Sequence, residues 1–234
     1  MDHQHNDYAV TTVQGNPVSK NFSGIKVTSV FARTKSRRDR DSIGDNCPML
    51  YALKGMRNLK TGYRSFVMLY QNYNLIMSQI VAVSRPQGLW DCIIPIPSSS
   101  NLPSLMARSA ARHAGYGVVH ADLLAKVSAK QVMASIDSLK VASKSKATLR
   151  SNVKHFIREH DEDTAFQLKS VDKKLRKHLC PFSLAQPFVG AGPHRILLVD
   201  DMVTSGTSIV SAGNLLLAKY PRVHIDAITL FGST

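Results

Sequence analysis

Residues 195–208 read RILLVDDMVTSGTS, and no other stretch limits the fold of the chain so sharply. The run from Arg195 to Val199 is continuously apolar after its first residue, the pattern of a central parallel strand covered on both faces. Asp200, Asp201 and a small polar loop follow. Thr207 to Tyr220 then carries Ile209, Gly213, Leu216 and Tyr220 at helical spacing, and Val223 to Leu230 alternates as a final strand. Strand, helix and strand within about thirty-five residues make a βαβ unit, whose crossover is right-handed. The fold class expected is α/β, with an open, mainly parallel sheet.

Alternation of helices and strands begins near Pro48. Phe66, Leu69, Tyr70, Tyr73, Ile76, Ile80 and Val83 recur at three and four, which predicts a core-facing helix over 63–83 ending before the turn Arg85-Pro86-Gln87-Gly88. Asp91 to Pro97 fits a short buried strand, with Trp90 packed in the core ahead of it. Leu102 to His113 reads as a helix with Leu102, Leu105, Met106 and Ser109 on one side, and Gly117 to His120 as a second strand. Residues 1–47 read as a polar, basic N-terminal extension in which Val27 to Phe31 has strand composition. Its basic run Arg33, Lys35, Arg37, Arg38 and Arg40 suits a solvated loop first, and an anion-binding surface second.

The stretch from Lys126 to Lys177 differs from the rest. It holds thirteen Lys plus Arg against six Asp plus Glu, a surplus equal to half of the chain's net charge of +14. It is expected to be a mobile, weakly apolar, partly helical excursion from a domain spanning 48–234. Pro181 to Pro193 closes it as a connector. A charge of +14 on 234 residues calls for an anionic partner, whether phosphate-rich metabolite, nucleic acid or acidic protein. Cys47, Cys92 and Cys180 are an odd number and far apart, so they support neither a disulfide framework nor a zinc knuckle. The histidines show no metal-ligand spacing beyond His155 and His160, and Asp161-Glu162-Asp163 is most simply a solvated turn. The apolar stretch 66–83 is broken by Gln71, Asn72, Asn74, Ser78 and Gln79, which argues against a membrane span. The polar start MDHQHNDYAV is unlike a signal peptide, and a cytoplasmic location is the expectation.

The chemistry concentrates after the strand. A buried strand delivers Asp200 and Asp201 to the carboxyl edge of a parallel sheet, where open α/β folds bind ligands. Thr204-Ser205-Gly206-Thr207-Ser208 then opens a helix, whose unpaired N–H groups and dipole suit a phosphate, with hydroxyls adding hydrogen bonds. Two carboxylates would repel that phosphate unless they face sugar hydroxyls or a divalent cation. Receiver-type signalling domains also place adjacent aspartates after a strand, but near the start of the domain and without such a loop.

This constellation resembles the phosphoribosyl-diphosphate (PRPP) signature of the type I phosphoribosyltransferases: four apolar residues, two acids, two apolar residues and a Thr/Ser-rich turn containing glycine. All thirteen positions from Ile196 to Ser208 conform, with Ser208 in place of the more usual threonine. The resemblance implies that Asp200 and Asp201 hold the ribose hydroxyls and, directly or through water, magnesium, while Thr204, Ser205, Gly206, Thr207 and Ser208 bind the 5′-phosphate. Weaker stretches point to the ComF-like, amidophosphoribosyltransferase-related branch. They are Tyr51 to Arg57, which carries Lys54-Gly55, then Ile94-Pro95-Ile96-Pro97, and Arg150-Ser151-Asn152-Val153 followed by Phe156. The likeness covers roughly Pro48 to Thr234. It implies a sheet with helices on both faces and a basic hood.

The chain departs from that branch in two places. It lacks the paired cysteines that often begin such proteins. After Pro97 it carries Ser98-Ser99-Ser100-Asn101-Leu102-Pro103, with no basic residue until Arg108. The resemblance makes Ser98, Ser99, Ser100 and Lys54 the pyrophosphate-binding set, with Arg57 and Arg108 as further cations. The reaction implied is magnesium-dependent transfer of a phosphoribosyl group from PRPP to a nitrogen nucleophile such as a nucleobase, with release of pyrophosphate. The uncharged serine loop and the high net charge keep an alternative open, a catalytically weak or inactive relative that senses nucleotides or handles nucleic acid. A subunit whose basic excursion docks an acidic partner is a third reading, and a homodimer is the default assembly for such folds.

Overall fold

The computed structural model of the chain describes residues 11–33, 48–56, 58–188 and 192–233. The N-terminal MDHQHNDYAV, the basic positions Lys35, Arg37, Arg38 and Arg40, and Cys47 and Arg57 lie outside the described residues. In chain order the elements begin with β1 (Val18–Phe22), β2 (Ile25–Arg33), α1 (Pro48–Leu53), α2 (Tyr63–Ser84), β3 (Cys92–Pro95), α3 (Leu102–Ala114) and β4 (Val118–Val119). There follow β5 (Leu124–Lys126), α4 (Ala129–Ser135), α5 (Ser143–His160), β6 (Phe182–Leu184), β7 (Arg195–Val203), α6 (Thr207–Lys219) and β8 (His224–Ser233). Two compact units result. One draws on the described residues of Met1–His120, Pro193–Ser205 and His224–Thr234, the other on those of Ala121–Gly192 and Gly206–Val223.

The first unit is built on a six-stranded sheet in the order β1-β2-β8-β7-β3-β4. Every neighbouring pair is parallel except the β1–β2 hairpin, so the class is α/β with a mostly parallel mixed sheet. Ile196, Leu197, Leu198 and Val199 are fully buried in β7, as a strand with neighbours on both edges and packing on both faces requires. Residues 18–33, expected to be part of a lead-in, instead supply β1 and β2, and β2 lies parallel to β8 from Lys26 to Arg33. The alternation of Ile25 and Val27 with Lys26 and Thr28 explains it: this strand has an apolar face that only a sheet can cover.

Helices α2 and α3 pack their apolar stripes on Leu197 and Val199 of β7 and on Ile228 and Leu230 of β8. The buried face of α2 is Leu69, Tyr73, Ile76, Met77 and Ile80. Phe66, Tyr70 and Val83, expected to face the core, are 48%, 55% and 65% exposed, and Leu105 of α3 is also exposed. The correction has a simple cause: α2 is apolar around most of its circumference, so spacing by three and four admits two overlapping faces, and only packing selects one.

Between β2 and β8 the backbones approach closely. Ser29 and Thr229 share a buried hydroxyl hydrogen bond of 2.8 Å. A Cβ at Gly232 would run into the Ser29 side chain and lie 3.1 Å from Val203 Cγ1. At the strands' N-terminal edge, the Asp226 carboxylate accepts from Trp90 Nε1 at 2.9 Å and from Arg195 Nε and Nη2 at 3.0 and 2.7 Å. Asp91 accepts from the backbone N–H groups of His194 and Arg195. Strand starts are thereby tied together by charge and hydrogen bonds, and Trp90 packs in the core as its position ahead of β3 suggested.

The second unit contains most of the basic excursion, which does close a core of its own. Ala129 and Val132 of α4, Leu149, Val153 and Phe156 of α5, and Ile136, Phe166, Val171 and Leu179 from the connecting segments form one buried cluster. Its apolar residues come singly from many short pieces, so no window of the sequence reads as hydrophobic. A Ser128–Gln131 capping box starts α4. The expected connector contains β6, which pairs antiparallel with β5. Among the described residues no helix is long and apolar enough to cross a membrane.

Candidate functional site

Strand β3 stops short and β7 does not. Pairing between them ends at Pro95 opposite Val199, with Ile96 N–H donating to the Val199 carbonyl at 2.7 Å. On its other edge β7 stays paired with β8 through Asp200, Met202 and Val203. Asp200 and Asp201 therefore belong to the strand itself and not to the loop after it, and they lie on a stretch that has lost its β3 neighbour. The connection from β3 leads outward to β4 and that from β7 leads the opposite way to β8. The carboxyl ends of β3 and β7 are thus the topological switch point, where open α/β sheets hold ligands.

Three of the expected residues meet at this point. Lys54 Nζ lies 2.6 Å from Asp201 Oδ2, and Ser98 Oγ donates to the same oxygen at 3.1 Å. Lys54 reaches it from the end of α1, where its N–H donates to the Leu50 carbonyl and where Met49 and Leu50 are buried in the core. The turn after β3 places Ser98, Ser99 and Ser100. Ser100 N–H donates to Ser98 Oγ at 3.4 Å, while Ser99 is exposed. Ser100 Oγ is buried with no hydrogen-bond partner among the described residues. Asp200 Oδ1 accepts the N–H of Asp201 at 2.8 Å. Arg108 is exposed on α3, and Arg57 lies outside the described residues.

The loop that follows β7 leaves Thr204 and Ser205 exposed. Gly206, the N-cap of α6, adopts φ +71°, a left-handed conformation that side-chain-bearing residues rarely take, and brings no capping side chain of its own. Thr207 and Ser208 form the first turn of α6, whose ladder opens with Val210 N–H donating to Gly206 O at 2.8 Å. A helix start with glycine at its N-cap and hydroxyls in its first turn is chemically matched to phosphate oxygens.

Among the described residues there is no group of three or more His, Cys, Asp or Glu that could hold a metal ion. Magnesium needs only one or two carboxylates, keeps waters and takes its remaining oxygens from substrate; consecutive strand side chains point to opposite faces, so Asp200 and Asp201 offer one carboxylate on each. The ammonium already seated on Asp201 demonstrates that this carboxylate accepts a cation. Asp201 therefore fits, as a single carboxylate ligand, the metal that the sequence resemblance implies.

The Lys54–Asp201 contact is what the sequence did not disclose. It gave each residue a separate ligand, because the pair comes from α1 and β7, remote in the chain, and only the packing of α1 on the core brings them together. No known protein-family model matches the chain, and no characterised protein matches it in sequence.

Proposed function

We propose that the chain is a PRPP-binding protein of the type I phosphoribosyltransferase kind. It would transfer the phosphoribosyl group to a nitrogen nucleophile, a nucleobase-like acceptor, and release pyrophosphate. The observation that carries this reading is the extension of β7 past the end of β3 at the switch point. That extension presents two carboxylates, then a hydroxyl-rich turn that opens a helix with glycine at its N-cap. In this reading the Thr204–Ser208 segment takes the 5′-phosphate, with Gly206 setting the backbone path. Asp200 and Asp201 would accept hydrogen bonds from the ribose diol, and Asp201 would hold magnesium, which would supply charge stabilisation for the departing pyrophosphate. Ser100 donates a hydroxyl hydrogen bond to that pyrophosphate, and Ser98 does so once its single proton turns away from Asp201. Lys54, one shared carboxylate oxygen away from Ser98, contributes the positive charge the serine turn lacks. The C1–oxygen bond breaks as the acceptor nitrogen bonds to C1, and these residues act by positioning and by electrostatics. Calorimetry with PRPP and magnesium tests the reading. Binding heat is expected from the native chain and its loss from Asp200→Ala/Asp201→Ala; absence of heat from the native chain refutes it.

A second reading is favoured by a different observation. On α5, Ala147, Arg150, Ser151, Lys154, His155 and Arg158 line a groove of about 540 Å³. Buried Leu149, Val153 and Phe156 hold the other face of that helix. Cations spaced by four along one helix face are suited to following a phosphodiester backbone. A chain used in this way would handle nucleic acid, with PRPP-type binding turned to sensing. Binding of duplex DNA that weakens steeply with salt, and flattens in Lys154→Glu/Arg158→Glu, is the result that would favour it.

A further inference from the structure

One carboxylate oxygen at the switch point has two donors. Lys54 Nζ and Ser98 Oγ both reach Asp201 Oδ2, at 2.6 and 3.1 Å. The lysine side chain is 14% exposed and the aspartate 9%, so solvent screens the pair weakly. A divalent cation needs a carboxylate oxygen lone pair; Oδ2 already carries an ammonium and a hydroxyl, and a cation on Oδ1 of the same carboxylate would still sit beside that ammonium. Any second cation entering beside a fixed ammonium meets like-charge repulsion that water does little to reduce.

We infer that Lys54 is an exchangeable resident counter-ion of Asp201: a divalent cation and the lysine ammonium compete for this carboxylate, and the displaced ammonium becomes available to the polyanionic end of the ligand. This rests on the phosphoribosyl reading and adds how such a site is loaded. Two features give the exchange its direction. The turn Ser98-Ser99-Ser100 has no cation of its own, and Lys54 is joined to it through a single shared oxygen. The same turn holds Ser100 Oγ buried and unpartnered among the described residues, a donor aimed at no protein acceptor.

Little has to move. Lys54 is fixed at its backbone by the hydrogen bond to Leu50, at the end of a helix anchored by Met49 and Leu50. Its flexible four-carbon stem can carry the ammonium elsewhere without disturbing that helix. Because binding couplings are reciprocal, whatever draws the ammonium off Asp201 must tighten the cation, and the cation must tighten whatever receives the ammonium.

The test uses Mn²⁺ alone, followed by electron paramagnetic resonance, on the full chain and on Lys54→Met and Lys54→Arg. Removing the competitor is expected to tighten Mn²⁺ by about fivefold or more in Lys54→Met, the lower end of ordinary coupling energies. Lys54→Arg should stay close to the native value. Inorganic pyrophosphate should bind Lys54→Met more weakly than the native chain. Unchanged or weaker Mn²⁺ binding in Lys54→Met overturns the exchange, and so does a native chain and variant that both ignore Mn²⁺. If Lys54→Met does not fold, the native chain decides by mass spectrometry after amine acylation. Mg²⁺ should speed modification of Lys54 relative to Lys130, which is ion-paired with Glu162 on the surface; no acceleration overturns the proposal. Calorimetry with ribose 5-phosphate, which has no pyrophosphate, separates the two ideas. Its failure to bind removes the phosphoribosyl reading while the Mn²⁺ exchange can still hold, and binding without exchange removes the exchange alone.

Discussion

Trp90 Nε1 donates to Asp226 Oδ2 at 2.9 Å, and Arg195 grips the same oxygen at 2.7 Å. One carboxylate thus satisfies an indole and a guanidinium at the N-terminal edge of the sheet, opposite the end that holds Asp201. Both ionic side chains are nearly covered, Arg195 12% and Asp226 11% exposed. Asp226→Ala leaves the indole N–H without a partner and takes the carboxylate from a covered guanidinium, which keeps only the Gln87 carbonyl. It should cost about 3–5 kcal/mol of stability, read from urea unfolding. A loss below about 1 kcal/mol would mean that water replaces the carboxylate at little cost.

Gly232 carries a steric prediction. Ser29 is buried, so it cannot swing aside for a Cβ, and Val203 closes the other side. Gly232→Ala should destabilise by about 1–3 kcal/mol through overpacking. Combined with Ser29→Gly, the two losses should add to less than their separate values, since the second change clears the space the first one needs.

Much of the sheet was legible before any coordinates. The apolar run Ile196–Val199 could only be a central strand, and the alternation after Val223 could only be its neighbour. What escaped was information that no local window contains. The partner of β2 is β8, at the far end of the chain, so Ile25 and Val27 looked like an isolated extended piece. Residues that build the core of the second unit arrive one or two at a time between lysines. In the candidate site the acids and the loop were readable because they are contiguous. The Lys54–Asp201 pair was not, because it depends on where α1 packs.

Gly206 links the site to backbone strain. Its φ of +71° is inexpensive for glycine and unfavourable for other residues. Gly206→Ala should lower stability by about 1 kcal/mol, and it should weaken ribose 5-phosphate binding by more than that stability change explains. Calorimetry and urea unfolding on one preparation separate the two effects; an unchanged ligand affinity would remove the loop from the site.

Burial, with the neighbouring Asp91 charge adding to it, pushes the Cys92 thiol up to about 12. Near pH 8 its thiolate is scarce and its position in β3 excludes reagent. Exposed Cys180 should be alkylated well before Cys92 in the folded chain, and the order should vanish in denaturant, as residue-resolved mass spectrometry would record.

His113 predicts a pH dependence. Burial first, and the adjacent Arg112 charge second, hold its imidazole below the ordinary value of 6.5. The unfolded chain therefore takes up this proton before the folded one. Stability contributed here is complete above about pH 6.5 and is lost as the pH falls from there through the lower folded value. The urea midpoint should drop between pH 7 and pH 5.5, and the drop should shrink in His113→Gln, where Asn74 Oδ1, 3.1 Å from His113 Nε2, keeps an amide donor within reach.

The place of β8 in the sheet also dictates a timetable. It sits between β2 and β7, yet it leaves the ribosome long after β2. At about 5–20 residues per second, β2 waits roughly 10–40 s with one ladder open. During that interval the nascent chain presents a long unpaired border, the kind of surface that recruits chaperones or other unfinished copies.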